Sequence, residues 1–256
     1  MDNGEDKLFF KVLGSGSCVP RAERAPAGYL VKYKDKKFLL DCGPGILWQL
    51  VRANEDYKDL TGVIFSHFHP DHTADFIPLI QALDYTPGFE RKEELLLFGP
   101  PGIEDFAKGL YKVYDLGPRG YDVAYITLDG KFGLEDELFI SSIKGNHTKS
   151  SSIIKITCKD QKGFVYSGDT DFDPAISEFA RKIDLLVLEC SFPYKVGKHL
   201  TPQDAAKIAH GAQPDKLLLT HFYPPIDNPD FNILEAVQQY YSGQIIIAQD
   251  FMEIII

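Results

Sequence analysis

Five short apolar segments of this chain are each followed by a residue type that commonly binds metal ions, and this pattern restricts the fold more than any other feature. The segments span 63–65, 140–144, 164–166, 185–188 and 217–219, and the residues that follow them are His67, His147, Asp169, Glu189 and His221. A single histidine or aspartate after a strand is more often a cap or a surface residue. Because the ends of neighbouring strands meet at one edge of a sheet, five together predict a shared cleft.

The densest part of this pattern is the sequence SHFHPDH at residues 66–72, which contains three of the seven histidines. The stretch is internal and mixed in composition, unlike an affinity tag. Imidazole and carboxylate groups are ligands that suit zinc, manganese and iron. Residues two apart in an extended segment face the same way, so we expect His67 and His69 to bind one ion together. Asp71 and His72 follow the bend into a helix and are expected to face a second ion.

Three distant residues complete this predicted two-metal arrangement. Two cations that lie close together need a shared anion, and the two carboxylate oxygens of Asp169 can bridge them. His147 is expected to complete the first ligand group and His221 the second. Each ion then has three or four protein ligands and an open position, as catalytic metal sites require.

Length and composition are those of an ordinary globular protein. The chain has 256 residues, of which 44% are hydrophobic and 25% charged, and no linker divides it, so we expect one domain over residues 1–256. No apolar run approaches the roughly 20 residues that span a bilayer, and the acidic start of the chain does not look like a secretory signal. The cysteines at 18, 42, 158 and 190 have no metal or disulfide spacing. We interpret them as small buried residues of a protein in the reducing cytoplasm, and we expect Trp48 in the hydrophobic core.

Short strands and helices alternate along the chain in two comparable halves. Strands are predicted at 8–13, 28–33, 37–41, 63–65, 95–98, 123–128, 138–144, 152–158, 164–166, 185–188, 217–219 and 245–248. Helices are predicted at 44–54, after Asp71, and at 102–113, 174–182, 202–210 and 231–241. Such a pattern predicts an α/β (α+β) fold in which two sheets lie inside and helices outside, a four-layer αββα sandwich.

The ligand set resembles the metal-binding motifs of the metallo-β-lactamase fold, and the resemblance covers nearly the whole chain. The sequence LLDCGPG at 39–45 is similar to the turn before the first helix of that fold, which implies that Asp41 supports the ligand loop from behind. More narrowly, the chain resembles the ribonuclease Z-like branch. The matching sequences are VLGSGSCVPRAER at 12–24, FGPPGI at 98–103, and LECSF at 188–192 followed by His199-x-Thr201.

This resemblance implies a metal-dependent hydrolase with two zinc ions, for which manganese or iron(II) are alternatives. Two metals about 3.5–4 Å apart activate a bridging water and neutralise charge on a phosphodiester. His199 is the expected general acid for the leaving oxygen, oriented by Glu189, while Asp71 is expected to act with the metals. Thr201 is expected to contact the substrate.

A small phosphodiester, such as a cyclic nucleotide or a short oligonucleotide, is the expected substrate. Ribonuclease Z enzymes often carry a long tRNA-binding arm between the positions that match His147 and Asp169, but these two positions are only 22 residues apart here. The net charge of −10 also disfavours a large polyanion, because phosphate contacts by Lys and Arg dominate such binding. The resemblance further implies a possible homodimer, with loops 85–90 and 117–121 as candidates near a partner's cleft.

Other functions stay open from the sequence alone. One is tRNA 3′-processing by a ribonuclease Z without an arm. A second is hydrolysis of thioesters, lactones or sulfate esters, although such members do not typically carry the Glu189 and His199-x-Thr201 pair. A third is a metal-stabilised binding module without catalysis, which the complete ligand set disfavours. A flavodiiron role is also disfavoured, since that group has glutamate at the position of His69 and carries a flavodoxin module.

Overall fold

The computed structural model describes residues 7–135 and 137–256, and the fourteen strands of these residues form two seven-stranded mixed sheets. The first sheet has the order β14-β1-β2-β3-β4-β5-β6 and the second β13-β12-β11-β10-β9-β8-β7. The strands are β1 (Leu8–Gly14), β2 (Gly28–Tyr33), β3 (Lys36–Cys42), β4 (Gly62–Ile64), β5 (Leu95–Gly99), β6 (Val123–Thr127), β7 (Lys131–Leu134), β8 (Leu138–Lys144), β9 (Ser152–Cys158), β10 (Gly163–Tyr166), β11 (Leu185–Glu189), β12 (Lys216–Thr220), β13 (Gln244–Ile247) and β14 (Glu253–Ile255).

Each sheet is antiparallel on one side and parallel on the other. In the first sheet β3, β4, β5 and β6 run parallel, and in the second sheet β10, β11, β12 and β13 do so. Parallel strands end at the same edge of a sheet, and ligand sites in such sheets lie outside the carboxyl ends of the strands. The sequence SHFHPDH follows β4, while Asp169, Glu189 and His221 follow or end β10, β11 and β12.

Helices cover the outer faces of both sheets. They are α1 (Ile46–Arg52), α2 (Pro70–Thr73), α3 (Phe76–Tyr85), α4 (Ile103–Tyr114), α5 (Pro174–Phe179), α6 (Pro202–Ala212) and α7 (Ile233–Gln238). Apolar residues of α1, α3 and α4 pack on the first sheet, and those of α5, α6 and α7 pack on the second. The layers are therefore helix, sheet, sheet, helix, and the predicted αββα sandwich is confirmed.

The alternating pattern of the strands decides which side chains enter which layer. In β3, Phe38 and Leu40 point to the core between the sheets, whereas Leu39 packs under the helices. Aromatic rings close the gap between the sheets, with Phe10 and Phe164 at a centroid distance of 5.0 Å. Fully burying one such ring stabilises the fold by about 1.5–3 kcal/mol. The sandwich interior thus holds the two sheet edges rigidly side by side.

Several predicted boundaries are wrong by a few residues. The first helix begins at Ile46 and not at residue 44, because Gly45 before it adopts a left-handed conformation with φ of 88°. The helix expected after Asp71 begins earlier, at Pro70, and a break separates α2 from α3. The helices predicted at 174–182 and 231–241 are shorter, ending at Phe179 and spanning Ile233–Gln238. Two short strands, β7 and β14, were not predicted, since each offers only three or four residues of pattern.

Two assignments of single residues to the core are also wrong. Trp48, expected in the interior, is 75% exposed on the outer side of α1. Cys18 is exposed, whereas Cys42, Cys158 and Cys190 are buried free thiols as expected. Within the described ranges, none of the helices has the length and apolar character needed to cross a bilayer. The first six residues, on which the expectation about a secretory signal partly depends, lie outside the described residues.

Candidate metal centre

The ends of β4, β8, β10 and β12 bring all seven predicted metal ligands to one cleft between the sheet edges. The loop after β4 carries His67 and His69, and α2 carries Asp71 and His72. His147 lies in the turn between β8 and β9, which is tied to the β4 loop by an isolated bridge of His67 with Ser151. The side chains fall into two groups that share Asp169, the division expected from the spacing in the sequence.

The outer group consists of His67, His69, His147 and Asp169, with its potential ligand atoms all within 4.8 Å of one another. His147 Nε2 and His69 Nδ1 lie 3.1 Å apart, and His67 Nε2 lies 3.9 Å from Asp169 Oδ2. His69 is exposed and His147 is half-buried. The outer group therefore opens to solvent.

The inner group consists of Asp71, His72, Asp169 and His221, all of which are buried. His72 Nε2 and His221 Nε2 each lie 3.3 Å from Asp169 Oδ1 and 3.3 Å from each other. Asp71 Oδ2 lies 3.5 Å from His221 Nε2. Two imidazole nitrogens and two carboxylates thus point at one small volume.

Both groups fit divalent cations by their chemistry. Nε2 of His67 and Oδ1 of Asp169 are buried without a hydrogen-bond partner, and buried polar atoms usually have one. Burial lowers the pKa of His67 to about 2, which keeps its imidazole neutral and its lone pair available. Burial also lowers the pKa of His72, but Asp169 and Asp41 raise it more, so that it lies well above its usual value. Because Asp169 and Asp41 stabilise positive charge on His72, they would also stabilise a metal cation at the same place.

Asp41 supports the ligands from the end of β3, as the resemblance implied. Its Oδ2 accepts hydrogen bonds from the Ser66 hydroxyl at 2.7 Å, from the Tyr166 hydroxyl at 2.8 Å and from His72 Nδ1 at 2.7 Å. Its Oδ1 accepts the Ser66 backbone N–H at 2.8 Å. A proton fixed on Nδ1 of His72 leaves Nε2 free to face the inner group. Such supporting bonds orient metal-ligating histidines and tune their basicity.

Three other histidines have an acceptor for their second ring nitrogen. His67 Nδ1 lies 3.1 Å from the Ser66 hydroxyl, and His147 Nδ1 lies 3.1 Å from the Lys198 carbonyl. His221 Nδ1 lies 3.0 Å from the Ser191 hydroxyl. Together with His72, these residues present Nε2 toward the centre. The tautomers suit metal ligation throughout.

Local backbone conformations keep the site tight. Asp41 and His221 adopt left-handed conformations with φ of 56° and 61°, which are uncommon for residues other than glycine and cluster at functional sites. Gly168, with φ of 53°, lies where a Cβ atom would stand 2.7 Å from Cβ of Ser66. A side chain at position 168 would therefore push apart the β4 and β10 loops that carry His67 and Asp169.

His199 and Glu189 form a pair beside both ligand groups. His199 Nδ1 lies 3.0 Å from Glu189 Oε2 and 4.0 Å from Asp169 Oδ2. The His199 ring lies 4.9 Å from the ring of His147 and 5.9 Å from that of His221. Burial lowers the pKa of His199, but the hydrogen bond and charge of Glu189 outweigh it and raise the pKa above its usual value.

Thr201, predicted to contact the substrate, has a structural role at the start of a helix. It is the N-cap of α6, where its hydroxyl donates to Asp204 Oδ2 at 2.9 Å and accepts the Asp204 backbone N–H at 3.2 Å. This reciprocal arrangement satisfies free N–H groups at the start of a helix. The geometry supports Thr201 as the residue that fixes the segment following His199.

Four residues in contact with the site were not assigned from the sequence: Ser66, Tyr166, Ser191 and Lys195. Ser66 and Ser191 stand beside recognised motifs, in SHFHPDH and LECSF, and that position was the available signal. Tyr166 and Lys195 gave no signal, since a buried strand tyrosine and a surface lysine are common. Lys195 Nζ donates to the His199 carbonyl at 2.8 Å and also contacts Asp171.

The sandwich and the two ligand groups define a metal-dependent hydrolase of the metallo-β-lactamase fold. Residues 36–222 match the family model described as Beta-lactamase superfamily domain, and the chain belongs to this family. Divalent metal binding is a property that the fold and the histidine–aspartate cluster both imply.

Several ribonucleases Z are among the relatives, together with a probable metallo-hydrolase. The chain is 27% identical to Ribonuclease Z of Methanosarcina acetivorans over 296 positions, which cover 94% of this chain and 96% of the relative. It is 29% identical over 244 positions to the Probable metallo-hydrolase YhfI of Bacillus subtilis, covering 93% and 96%. The crystal structure of YhfI superimposes with a TM-score of 0.83 at 25% identity, covering 98% of this chain and 100% of that chain. Human tRNase Z, short form, shares the fold with a TM-score of 0.78 at 20% identity, covering 96% and 98%.

Proposed function

We propose that this protein is a dinuclear zinc phosphodiesterase acting on small phosphodiesters, as a single catalytic domain. The observation that carries the proposal is the His199–Glu189 pair, which lies within 4.0 Å of the carboxylate shared by both ligand groups. A hydrolase of esters with good leaving groups needs only the metal ligands. A half-buried imidazole held by a carboxylate at the same place supports a reaction whose leaving oxygen must be protonated.

The proposed roles of the side chains follow from these contacts. His67, His69 and His147 would hold one cation, Asp71, His72 and His221 a second, and Asp169 both. Divalent cations supply Lewis acidity toward the phosphoryl group and make water a better nucleophile. Zinc suits this imidazole-rich set best, and manganese or iron(II) are the alternatives. Asp71 would also orient the attacking water.

His199 is the proposed general acid. Its Nδ1 is engaged with Glu189, so Nε2 is the nitrogen available to a leaving oxygen. The raised pKa keeps the ring protonated at neutral pH more than an ordinary histidine. Glu189 is itself fixed by the backbone N–H of Thr170 at 2.6 Å. Glu189 is therefore held in place and can orient the His199 ring.

Aromatic rings next to His199 support a nucleotide-like leaving group. Phe192 and Tyr223 stack at a centroid distance of 4.3 Å, and each lies within 5.8 Å of the His199 ring. Both are half-buried, so part of each ring faces solvent. Planar bases stack on such rings. These rings support a base-binding side of the cleft next to the proposed general acid.

The chain between His147 and Asp169 supports a small substrate. It forms a turn, β9, a second turn and β10, and leaves no length for a protruding arm. The alignment with the Methanosarcina enzyme has 296 positions, but 94% of 256 residues is only about 241, so about 55 positions face gaps in this chain. For YhfI, 244 positions cover 93%, or about 238 residues, so about 6 face gaps. Far fewer alignment positions face gaps with YhfI than with the Methanosarcina enzyme, so the loop lengths of this chain are closer to those of YhfI.

A second candidate, tRNA 3′-processing, is favoured by the names of the ribonuclease Z relatives. The deciding experiment compares kcat/KM of the zinc-loaded protein on a 3′-extended pre-tRNA, cyclic mononucleotides, linear dinucleotides and a thioester. We expect the highest value on a small phosphodiester. Efficient cleavage of pre-tRNA would replace our proposal by tRNA processing, and preference for the thioester would reject phosphodiester chemistry.

Location and assembly are secondary parts of the proposal. Three buried free thiols suit a reducing compartment, and we propose the cytoplasm. A homodimer is proposed on the resemblance alone. Size measurement in solution tests it.

A further inference from the structure

Ser191 lies between the inner ligand group and the His199–Glu189 pair. It follows β11 by two residues and is fully buried. Its hydroxyl contacts Glu189 Oε2, His221 Nδ1 at 3.0 Å and the His221 carbonyl at 3.1 Å. Its backbone N–H donates to the Leu200 carbonyl at 3.1 Å, directly after His199. One residue therefore touches both the ligand His221 and the support of His199.

The hydrogen bonds have one consistent direction. The Ser191 hydroxyl has one proton, and we assign it to Glu189 Oε2 and not to the His221 carbonyl, because a charged acceptor makes the stronger hydrogen bond. The hydroxyl oxygen can then accept a hydrogen bond from the Nδ1–H group of His221, which leaves His221 Nε2 unprotonated toward the inner group. Glu189 Oε2 also accepts from His199 Nδ1. The chain of bonds runs from His221 through Ser191 to Glu189 and is joined there by His199.

Ser167 shows how a buried serine with a purely structural role looks in the same cleft. It follows β10 by one residue and is as buried as Ser191. Its hydroxyl bonds to backbone groups, the Gly168 carbonyl at 2.7 Å and the Glu189 N–H at 3.0 Å. The Ser191 hydroxyl differs because it contacts two functional side chains.

We propose that Ser191 is a positioning residue that couples the inner metal site to the general acid. The hydroxyl selects the tautomer of His221 that binds metal, and it holds Glu189 in the orientation that supports His199. The part concerning His199 rests on the proposed function, whereas the part concerning His221 does not. Loss of this hydroxyl should therefore disturb metal retention and leaving-group protonation together.

The test uses Ser191→Ala, Ser191→Thr and a matched control, Thr220→Val. Thr220 precedes His221 and is equally buried, but its hydroxyl bonds to Tyr29 at 2.9 Å. Zinc retention is measured by competition with a chromogenic chelator, and turnover is measured on phosphodiesters with nitrophenolate and with alkoxide leaving groups. Thermal unfolding of each zinc-loaded variant reports general damage.

For Ser191→Ala we expect about 10–100-fold weaker retention of one zinc ion per chain, the usual cost of losing a supporting bond. Turnover should fall more for the alkoxide than for the nitrophenolate substrate. Ser191→Thr should restore both properties, and Thr220→Val should change neither beyond its effect on unfolding.

Equal zinc retention in Ser191→Ala and Thr220→Val would overturn the coupling. So would a loss of turnover that is the same for both leaving groups. If the wild-type protein hydrolyses no phosphodiester, the proposed function fails, while the chelator competition still decides the role of Ser191 toward His221. If Ser191→Ala does not fold, the same measurements are made on Ser191→Thr and Ser191→Cys. The cysteine thiol is a weaker donor than the hydroxyl, so Ser191→Cys should retain zinc less well than Ser191→Thr.

Discussion

The two ligand groups share Asp169 but differ in burial and support. The inner group is buried throughout and is held by Asp41, from the first sheet, and by Ser191, from the second. The outer group contains the exposed His69 and the half-buried His147, whose Nδ1 is held by the carbonyl of Lys198 in a surface loop. If both groups bind metal as proposed, we expect the inner ion to exchange more slowly than the outer one, because bonds within a packed interior restrict motion more than bonds to a loop.

Removal of the shared ligand Asp169 should weaken metal binding in both groups. Of the variants considered, it should have the largest effect on zinc content and turnover. Asp169→Ala takes a ligand from both groups, so zinc content should fall toward zero and turnover by at least about 10⁴-fold. Elemental analysis measures the zinc content, and hydrolysis of a bis-aryl phosphate measures turnover. The control is Asp173→Ala, which removes the N-cap of α5 and should cost only about 1 kcal/mol of stability. Two zinc ions retained in Asp169→Ala would contradict the shared role.

The role of His199 as general acid should be separable from metal binding by the two ligand groups. His199→Ala should lower turnover about 10²–10⁴-fold without changing zinc content, since we propose that the imidazole protonates a leaving oxygen and is not a metal ligand. The loss should shrink for nitrophenolate esters, which need little protonation. Loss of one zinc ion in this variant would show that His199 is a ligand instead.

Asp41→Asn should affect the inner group alone. Asparagine tolerates the left-handed backbone at this position, but its amide presents a weaker acceptor to His72. We expect one of two zinc ions to be retained about 10–100-fold more weakly. Asp75→Asn is the control, since Asp75 is also buried and accepts the Leu47 backbone N–H at 2.8 Å. An equal effect of the two variants would mean that burial of charge, and not support of His72, decides retention.

The order of metal loss is the next test of the comparison. A chelator should remove one ion per chain from the wild-type protein in a fast phase and the second in a slow phase, because His69 is exposed and the inner ligands are not. His69→Ala should abolish the fast phase, with the slow phase preserved. A single phase in the wild-type protein would remove the distinction between the two groups.

Loss of the contacts of Lys195, at the solvent-exposed side of the site, should have the smallest effect on turnover. Its side chain is 47% exposed and ties the carbonyl of His199 to Asp171. A partly exposed ion pair contributes about 0.2–1 kcal/mol, so Lys195→Met should lower turnover by about 5-fold at most. Lys198→Met is the control, because Lys198 contacts His147 through its backbone carbonyl. A loss above 10²-fold would indicate that Lys195 contacts the substrate.

The sequence by itself determined the layers and the membership of the two groups. Strand alternation is local, so 138–144 and 152–158 were predicted to the residue. The spacing within SHFHPDH separates His67 and His69 from Asp71 and His72 because an extended chain turns side chains every second residue and then bends into a helix. These features depend on neighbours in the chain and can be read from them.

Only the tertiary structure decided what supports the ligands. Ser191 bonds to His221 thirty residues away, and Tyr166 reaches Asp41 across the two sheets. Thr201 caps the start of α6, a role that the sequence did not reveal, and Trp48 is exposed because α1 turns its other face to the sheet. No spacing rule encodes such contacts, since they depend on how two sheets pack and on which backbone groups are left to satisfy.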